Sequence, residues 1–198
     1  MHKGGLRIFA FTALALLAVI AAGCGGKSVG STTGDGAASA PFDRAFIDAM
    51  VPHHLSAIDM AQAARDAGLH KPVLVGIAND IVTSQQREID EMQQWRKQWY
   101  GSAKIDPNDT GALGMSTDEM GMSHSPGDIS KASNVDVAFA SLMTDHHKGA
   151  VAMAKLALMK ARHPEIKKLA RQIIAAQERE LRLMKPYVSR AGMGGMHM

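Results

Sequence analysis

The chain of 198 residues has a formal net charge of +3 at pH 7, and 46% of its residues are hydrophobic. Its basic residues lie among acidic neighbours and form no stripe that could follow a phosphate backbone, which excludes nucleic acid as a partner. The only cysteine, Cys24, has no second thiol with which to form an internal disulfide.

The N-terminal residues have the pattern of an export signal. Lys3 and Arg7 precede an apolar stretch, Ile8 to Ala22, which is shorter than the roughly 20 residues that span a membrane. This stretch leads into Cys24 and resembles a bacterial lipoprotein signal, although Ala21 stands where leucine is most often found. The resemblance implies a signal peptide of residues 1–23, lipidation of Cys24, and a location at the outer face of the cell membrane or in the periplasm. The alternative is an ordinary secretory signal with an incidental cysteine.

Residues 24–41 are rich in glycine, serine, threonine and alanine and show no apolar periodicity. Such a segment cannot form a packed core, so it is predicted to be a flexible tether. The chain from residue 42 onward has the usual size of one domain.

Four helices are predicted from the apolar period and from helix-breaking residues. Gly68 and Gly101 mark helix ends, whereas Pro72 and Pro164 suit first turns. In chain order the predicted helices run from about Phe42 to Ala67, Pro72 to Tyr100, Val135 to Arg162, and Pro164 to Arg190. No strand pattern occurs, so the predicted fold class is all-α.

The sequence contains an internal duplication. A shift of 93 residues aligns Phe46 to Ala61 with Phe139 to Ala154, and a shift of 92 aligns Ala78 to Met92 with Ala170 to Met184. One hairpin could not bury its apolar face alone, so the two should close on each other. The predicted architecture is a four-helix bundle of two similar hairpins, residues 42–100 and 134–190, joined by a long crossover, residues 101–133.

Polar side chains occupy the core-facing stripe of each predicted helix. Spacings of three and four residues place His53 on one stripe between Met50 and Met60, and the third helix repeats this order. Burying an ionisable group is unfavourable by several kcal/mol unless the group is paired or binds a metal. Inward histidine and glutamate side chains therefore predict a metal site. The candidate ligands in the bundle are Met50, His53, His54, Met60, Glu88, Met92, Met143, His146, His147, Met153, Glu180 and Met184.

Two alternatives to a metal site remain open. His53 could bond to Glu88, and His146 to Glu180, as polar core pairs without a ligand, and the methionines could be core filler. Successive helical residues differ in direction by about 100°. We therefore expect one histidine of each doublet to point inward and the other to flank it.

A second group of candidate ligands lies in the crossover and in residues 191–198. Thioether sulfur favours Cu(I), and imidazole also binds copper. A glycine-rich tail has no core to fill, so core packing does not explain its methionines. The alternatives are low-complexity drift and scavenging of oxidants. The residues are Met115, Met120, Met122, His124, Met193, Met196, His197 and Met198.

These motifs resemble the domain-of-unknown-function family 305. The resemblance rests on the repeated histidine doublet followed by Ala and Met, at His53-His54 and His146-His147, and on the Gln-x-x-Glu-x-x-x-Met runs at 85–92 and 177–184. It implies a ferritin-like four-helix bundle exported in bacteria, and copper binding that contributes to copper resistance. Among the candidate ligands, it selects the two doublets with Met50, Met60, Met143 and Met153.

The leading hypothesis is a noncatalytic, lipid-anchored protein that sequesters Cu(I) or Cu(II), with another transition metal as the alternative ion. A ferritin-like di-metal redox enzyme is disfavoured, because that class uses Glu-x-x-His pairs and the chain has none. A metal-free helical interaction module is the third hypothesis. The sequence leaves open whether the chain forms a homo-oligomer.

Overall fold

The helices begin and end close to the positions that the sequence predicts. The computed structural model describes residues 41–188, which contain helices and loops but no strands, as an all-α fold requires. In chain order the helices are α1 (Pro41–Asp66), α2 (Pro72–Tyr100), α3 (Pro126–Ser130), α4 (Val135–Lys160) and α5 (Pro164–Met184), with 3-10 turns at Gly111–Leu113 and Lys185–Tyr187. The predicted signal peptide, lipidated Cys24, the tether up to residue 40 and the C-terminal tail lie outside the described residues, whereas residue 41, the last of the predicted tether, begins α1. Within residues 41–188, no helix combines the length and the apolar character needed to cross a membrane.

Two predicted helix ends and the crossover need correction. α4 ends at Lys160 rather than near Arg162, because Ala161 is extended and the next two amides bond to a carboxylate on α1. α5 ends at Met184 rather than near Arg190, because Pro186 has no N–H with which to continue the helix. The crossover contains α3, a fifth helix that was not predicted, whose Ser125 amide donates to Asp128 at 2.7 Å.

The four long helices pack in two pairs. α1 packs against α2 and α4 against α5, and the pairs meet where α1 contacts α4 and α2 contacts α5. Small buried residues such as Ala57, Ala61, Ala150 and Ala154 lie on α1 and α4 and let these two helices approach closely. The crossover helix α3 contacts both α1 and α4. The crossover therefore covers the α1–α4 side of the protein.

Reciprocal carboxylate caps tie the two pairs together. Asp43 on α1 accepts the backbone N–H groups of Arg162 and His163 just before α5, at 3.0 and 2.8 Å. Asp136 on α4 accepts those of His70 and Lys71 just before α2, both at 3.1 Å. A negative charge next to the free amides at a helix start stabilises that helix. Each helix pair thus caps a helix of the other.

A buried ion pair fixes the start of the crossover. Arg96 on α2 donates from Nε and Nη2 to the two carboxylate oxygens of Asp48 on α1, at 2.9 and 3.2 Å. The same guanidinium donates to the Ser102 carbonyl, and the Asp106 amide donates to Asp48. Because every member has a partner, this network directs the chain from α2 back over α1.

Candidate metal centre

The four histidines of the two doublets form one buried cluster, hereafter the histidine cluster. His53 and His146 are 1% exposed, and His54 and His147 are 0% exposed. The expectation that one member of each doublet would flank the core is therefore wrong. α1 packs against α4 on one side and against α2 on another, so two side-chain directions about 100° apart both point into the protein.

The outer member of each doublet bonds to a glutamate on the partner helix. His54 Nε2 lies 2.7 Å from Glu88 Oε2, and His147 Nε2 lies 2.7 Å from Glu180 Oε2. The alternative pairs, His53 with Glu88 and His146 with Glu180, do not form, because in each doublet the next residue makes the bond. The side chains of residues 54 and 147 face α2 and α5, whereas those of residues 53 and 146 face each other.

The inner histidines meet where α1 crosses α4. The ring centroids of His53 and His146 are 3.7 Å apart, with an angle of 39° between the ring planes. His53 Nε2 donates to the Met120 carbonyl of the crossover at 2.9 Å. Burial, and after it the nearby His54, lower the pKa of His53 to about 3. Burial, and after it His53, lower the pKa of His146 well below its ordinary value. Both rings are neutral at neutral pH, the state in which imidazole binds metals.

Ring nitrogens of the histidine cluster lack partners. Among residues 41–188, none bonds to Nδ1 of His53, His54 or His147, or to either nitrogen of His146. We call these five atoms the unpartnered ring nitrogens. A buried polar atom without a hydrogen bond destabilises a fold by about 1–3 kcal/mol. Their concentration in one core is the feature of this region that a function has to explain.

Further donor atoms are buried in the core, although the nitrogen and carboxylate atoms alone do not complete a site. In the described ranges, no group of three or more His, Cys, Asp or Glu side chains is spaced to hold a metal ion. The remaining donors are buried thioethers, which suit a soft ion, and the buried side-chain carbonyl oxygens of Gln85 and Gln177. All six bundle methionines that were predicted as ligands are buried, namely Met50, Met60, Met92, Met143, Met153 and Met184.

The crossover methionines lie against the helices. Met115 and Met120 are partly buried and pack on the core, while Met122 and His124 are half-buried. Gly149 of α4 lets the crossover approach, since a Cβ atom there would lie 1.9 Å from the Met120 carbonyl oxygen. The other members of the second ligand group, Met193, Met196, His197 and Met198, lie outside the described part of the chain.

A polar cleft between α2 and α5 reaches the histidine cluster from the other side. It has a volume of about 720 Å³ and is lined by Glu88 and Glu180 together with Arg87 and Arg179. Glu88 and Glu180 therefore line the cleft on one side and bond to His54 and His147 on the other.

Three features of this region were not predicted from the sequence. The Met120 carbonyl is a backbone atom, which a search for ligating side chains does not consider. The Asp43 and Asp136 caps could have been found, because the two residues coincide at the shift of 93 that aligns the histidine doublets. Gly149, a glycine inside a helix that carries a histidine doublet, was a signal of close backbone approach.

The fold and the site define a class of all-α protein with a buried histidine cluster on two packed helices. The chain belongs to the domain-of-unknown-function family DUF305, whose sequence profile matches residues 43–188. No curated protein matches the chain in sequence.

Three solved structures illustrate the likeness. The Cu(I)-bound form of CopM is 32% identical with a TM-score of 0.62, and its Cu(II)-bound form is 34% identical with a TM-score of 0.64; each match covers 73% of this chain and 94% of CopM. A DUF305 protein of Streptomyces coelicolor, described as secreted, is 28% identical with a TM-score of 0.65, over 74% of this chain and 91% of that protein.

Proposed function

We propose that this protein is an exported, lipid-anchored copper-binding protein that sequesters copper outside the cytoplasm. The observation that carries the proposal is the set of unpartnered ring nitrogens in the core. A noncatalytic role in copper tolerance or homeostasis fits a site made of imidazoles and thioethers, which suit Cu(I) better than they suit hard cations. The copper-bound forms of CopM support the choice of metal.

The proposed binding unit is a ferritin-like four-helix bundle. Its two similar hairpins, 42–100 and 134–190, each contribute one histidine doublet, and the crossover 101–133 closes the bundle over α1 and α4. The ligands come from the histidine cluster and the buried methionines near it. The methionines of the crossover and of residues 191–198 form a second group of copper ligands. Cys24 carries the lipid that holds the protein at the membrane, and residues 24–40 act as the tether.

Two other functions have less support. A ferritin-like di-metal redox enzyme requires inward carboxylates as ligands, whereas Glu88 and Glu180 are already bonded to histidines. A metal-free interaction module would leave the unpartnered ring nitrogens as a permanent destabilisation of the fold.

Copper titration with elemental analysis tests the proposal. The full protein should retain copper, and replacement of His53, His54, His146 and His147 by alanine should abolish tight binding. Deletion of residues 191–198 should leave it intact. A ligand that binds only the folded state at 100 times its Kd stabilises that state by about 2.7 kcal/mol. Thermal unfolding with and without copper therefore gives a second readout.

Unchanged copper retention in the histidine variant would refute the proposed site, and loss of binding on tail deletion alone would place the metal in the tail. If the intact protein retains no more copper than an unrelated helical protein, the function itself fails. A visible absorption band after loading with iron and dioxygen would favour the redox enzyme instead.

A further inference from the structure

Three rings of the histidine cluster are held by the same ring atom. Nε2 of His54 lies against Glu88, Nε2 of His147 against Glu180, and Nε2 of His53 against the Met120 carbonyl. Three different helices or loops supply these partners, namely α2, α5 and the crossover. In each case Nδ1 of the same ring is buried and has no partner in the part of the chain that the structure describes.

The partners decide which nitrogen carries the hydrogen. Carboxylate and carbonyl oxygens only accept hydrogen bonds, so each Nε2 must be the donor. A second hydrogen on Nδ1 would be a buried donor with no acceptor among residues 41–188, which is unfavourable. Each of these rings is therefore the Nε2–H tautomer with a free electron pair on Nδ1.

We propose that Glu88 and Glu180 are positioning residues and not metal ligands. Each glutamate fixes its histidine in the Nε2–H tautomer, so that His54 and His147 bind the metal through Nδ1. This inference deepens the proposed function and rests on it. It replaces the interpretation of the two glutamates as ligands that their places on the helical stripes suggested.

The geometry disfavours the glutamates as ligands for a physical reason. A Glu88 carboxylate that moved to a metal would give up its 2.7 Å bond and leave the Nε2–H of His54 buried without an acceptor. As an outer partner, the same carboxylate fixes the tautomer and the orientation of the ring, which is the usual role of a carboxylate behind a metal-bound histidine. Soft ions also prefer imidazole to carboxylate.

The duplication strengthens this inference. The two histidine–glutamate pairs come from different halves of the chain, yet both are 2.7 Å long and both use Nε2 and Oε2. His53 reaches the same tautomer through a backbone carbonyl. The same ring atom is therefore left free at equivalent positions in the two halves of the chain, which separate structural bonds alone would not require.

Nuclear magnetic resonance of 15N-histidine-labelled full-length protein tests the tautomers directly. In the metal-free protein, His53, His54 and His147 should each carry hydrogen on Nε2. Silver(I) then serves as the probe, because it is a soft, redox-inert ion with spin one-half. Its scalar coupling to nitrogen should appear at Nδ1 of His54 and His147.

Variants separate positioning from ligation. Glu88→Gln and Glu180→Gln keep an acceptor for Nε2–H but remove the charge, so silver(I) should bind at the wild-type stoichiometry and about 10-fold to 100-fold more weakly. Glu88→Leu removes the acceptor and should also perturb the tautomer of His54. Glu178→Gln, a control on α5 whose partner is the surface Lys155 at 3.3 Å, should bind as wild type.

The outcomes distinguish this inference from the proposed function. Hydrogen on Nδ1 of His54 and His147, coupling at Nε2, or loss of one bound ion in Glu88→Gln would overturn the positioning role while the protein still binds metal. If the wild-type protein binds neither silver(I) nor copper, the proposed function and this inference fail together.

Discussion

Acid should destabilise the metal-free protein before its carboxylates titrate, because the inner histidines are buried as neutral rings. Burial and neighbouring imidazoles lower the pKa of His53 to about 3 and that of His146 well below its ordinary value. Unfolding exposes both rings, which then titrate near 6.5. The unfolded state therefore binds more protons than the folded state between pH 6.5 and pH 3, and stability falls as the pH falls through this window.

The size of the effect follows from the shift of His53. At pH 5 the unfolded ring is protonated and the folded ring is not, so His53 alone should reduce the free energy of unfolding by about 2 kcal/mol relative to pH 7. His146 acts in the same direction. Domains of this size are stable by about 5–15 kcal/mol, so the change is readily measured.

Urea unfolding, followed by circular dichroism at pH 7 and pH 5 with a chelator present, measures this loss. His53→Gln keeps an N–H donor for the Met120 carbonyl but takes up no proton. It should therefore lose about 2 kcal/mol less than wild type between the two pH values. His124→Gln, outside the histidine cluster, should show the wild-type loss.

Equal losses in wild type and His53→Gln would refute the reasoning. The outer histidines and their glutamates also lie close to His53. The comparison stops at pH 5, so that carboxylates with ordinary pKa values near 4 contribute little to the measured loss. A loss that appears only below pH 4 would assign acid sensitivity to the carboxylates instead.

Three further changes test the packing of the crossover on α4, the capping of α2 and the access of metal to the histidine cluster. Gly149→Ala places a methyl group against the Met120 carbonyl and should destabilise the protein by about 1–3 kcal/mol in urea unfolding, with faster amide exchange in the crossover. Asp136→Asn weakens a cap and should lower stability by about 2 kcal/mol at pH 7. Ala176→Trp, in the α2–α5 cleft, should slow copper association in stopped-flow experiments and change the affinity little.

Each change has its own control. Gly76→Ala, where the added methyl meets nothing within 4 Å, should stabilise α2 by up to about 1 kcal/mol, and a loss equal to that of Gly149→Ala would remove the packing argument. Amide hydrogen bonds lower the pKa of Asp136 against the opposing effect of burial. Its contribution is present above pH 4 and disappears at lower pH, so a pH-independent difference would contradict the capping role. An unchanged association rate in Ala176→Trp would place metal access elsewhere.

The helices could be predicted from the sequence because their signals are local. The predicted bounds of α2 match the structure at both ends. Pro72 begins the helix, and Gly101 ends it in a left-handed backbone conformation. α3 was missed because five residues are too few to show a helical period. The end of α4 was misplaced because the carboxylate that takes the next amides belongs to α1, far away in the sequence.

The burial of the histidine cluster was predicted in part, but its hydrogen bonds were not. Periodicity placed His53 and His146 inward, and both are buried. It could not show that His54 and His147 are also inside, because one helix seen alone has only one inward face. Which histidine bonds to Glu88 or Glu180 depends on which face α2 and α5 turn toward α1 and α4, and only the packed structure shows that orientation.

The two sides of the histidine cluster differ in a way that bears on function. On the α1–α4 side, Gly149 and Gly121 bring the crossover backbone against the helices, and any side chain at either position would displace it. On the α2–α5 side, the outer histidines end at two glutamates that line an open cleft. A core shaped only for stability would fill this region with apolar side chains, which need no partners. The fold instead buries four imidazoles here, and the glutamates that hold His54 and His147 by Nε2 are the side chains through which the histidine cluster meets the cleft, so this region is shaped by more than stability.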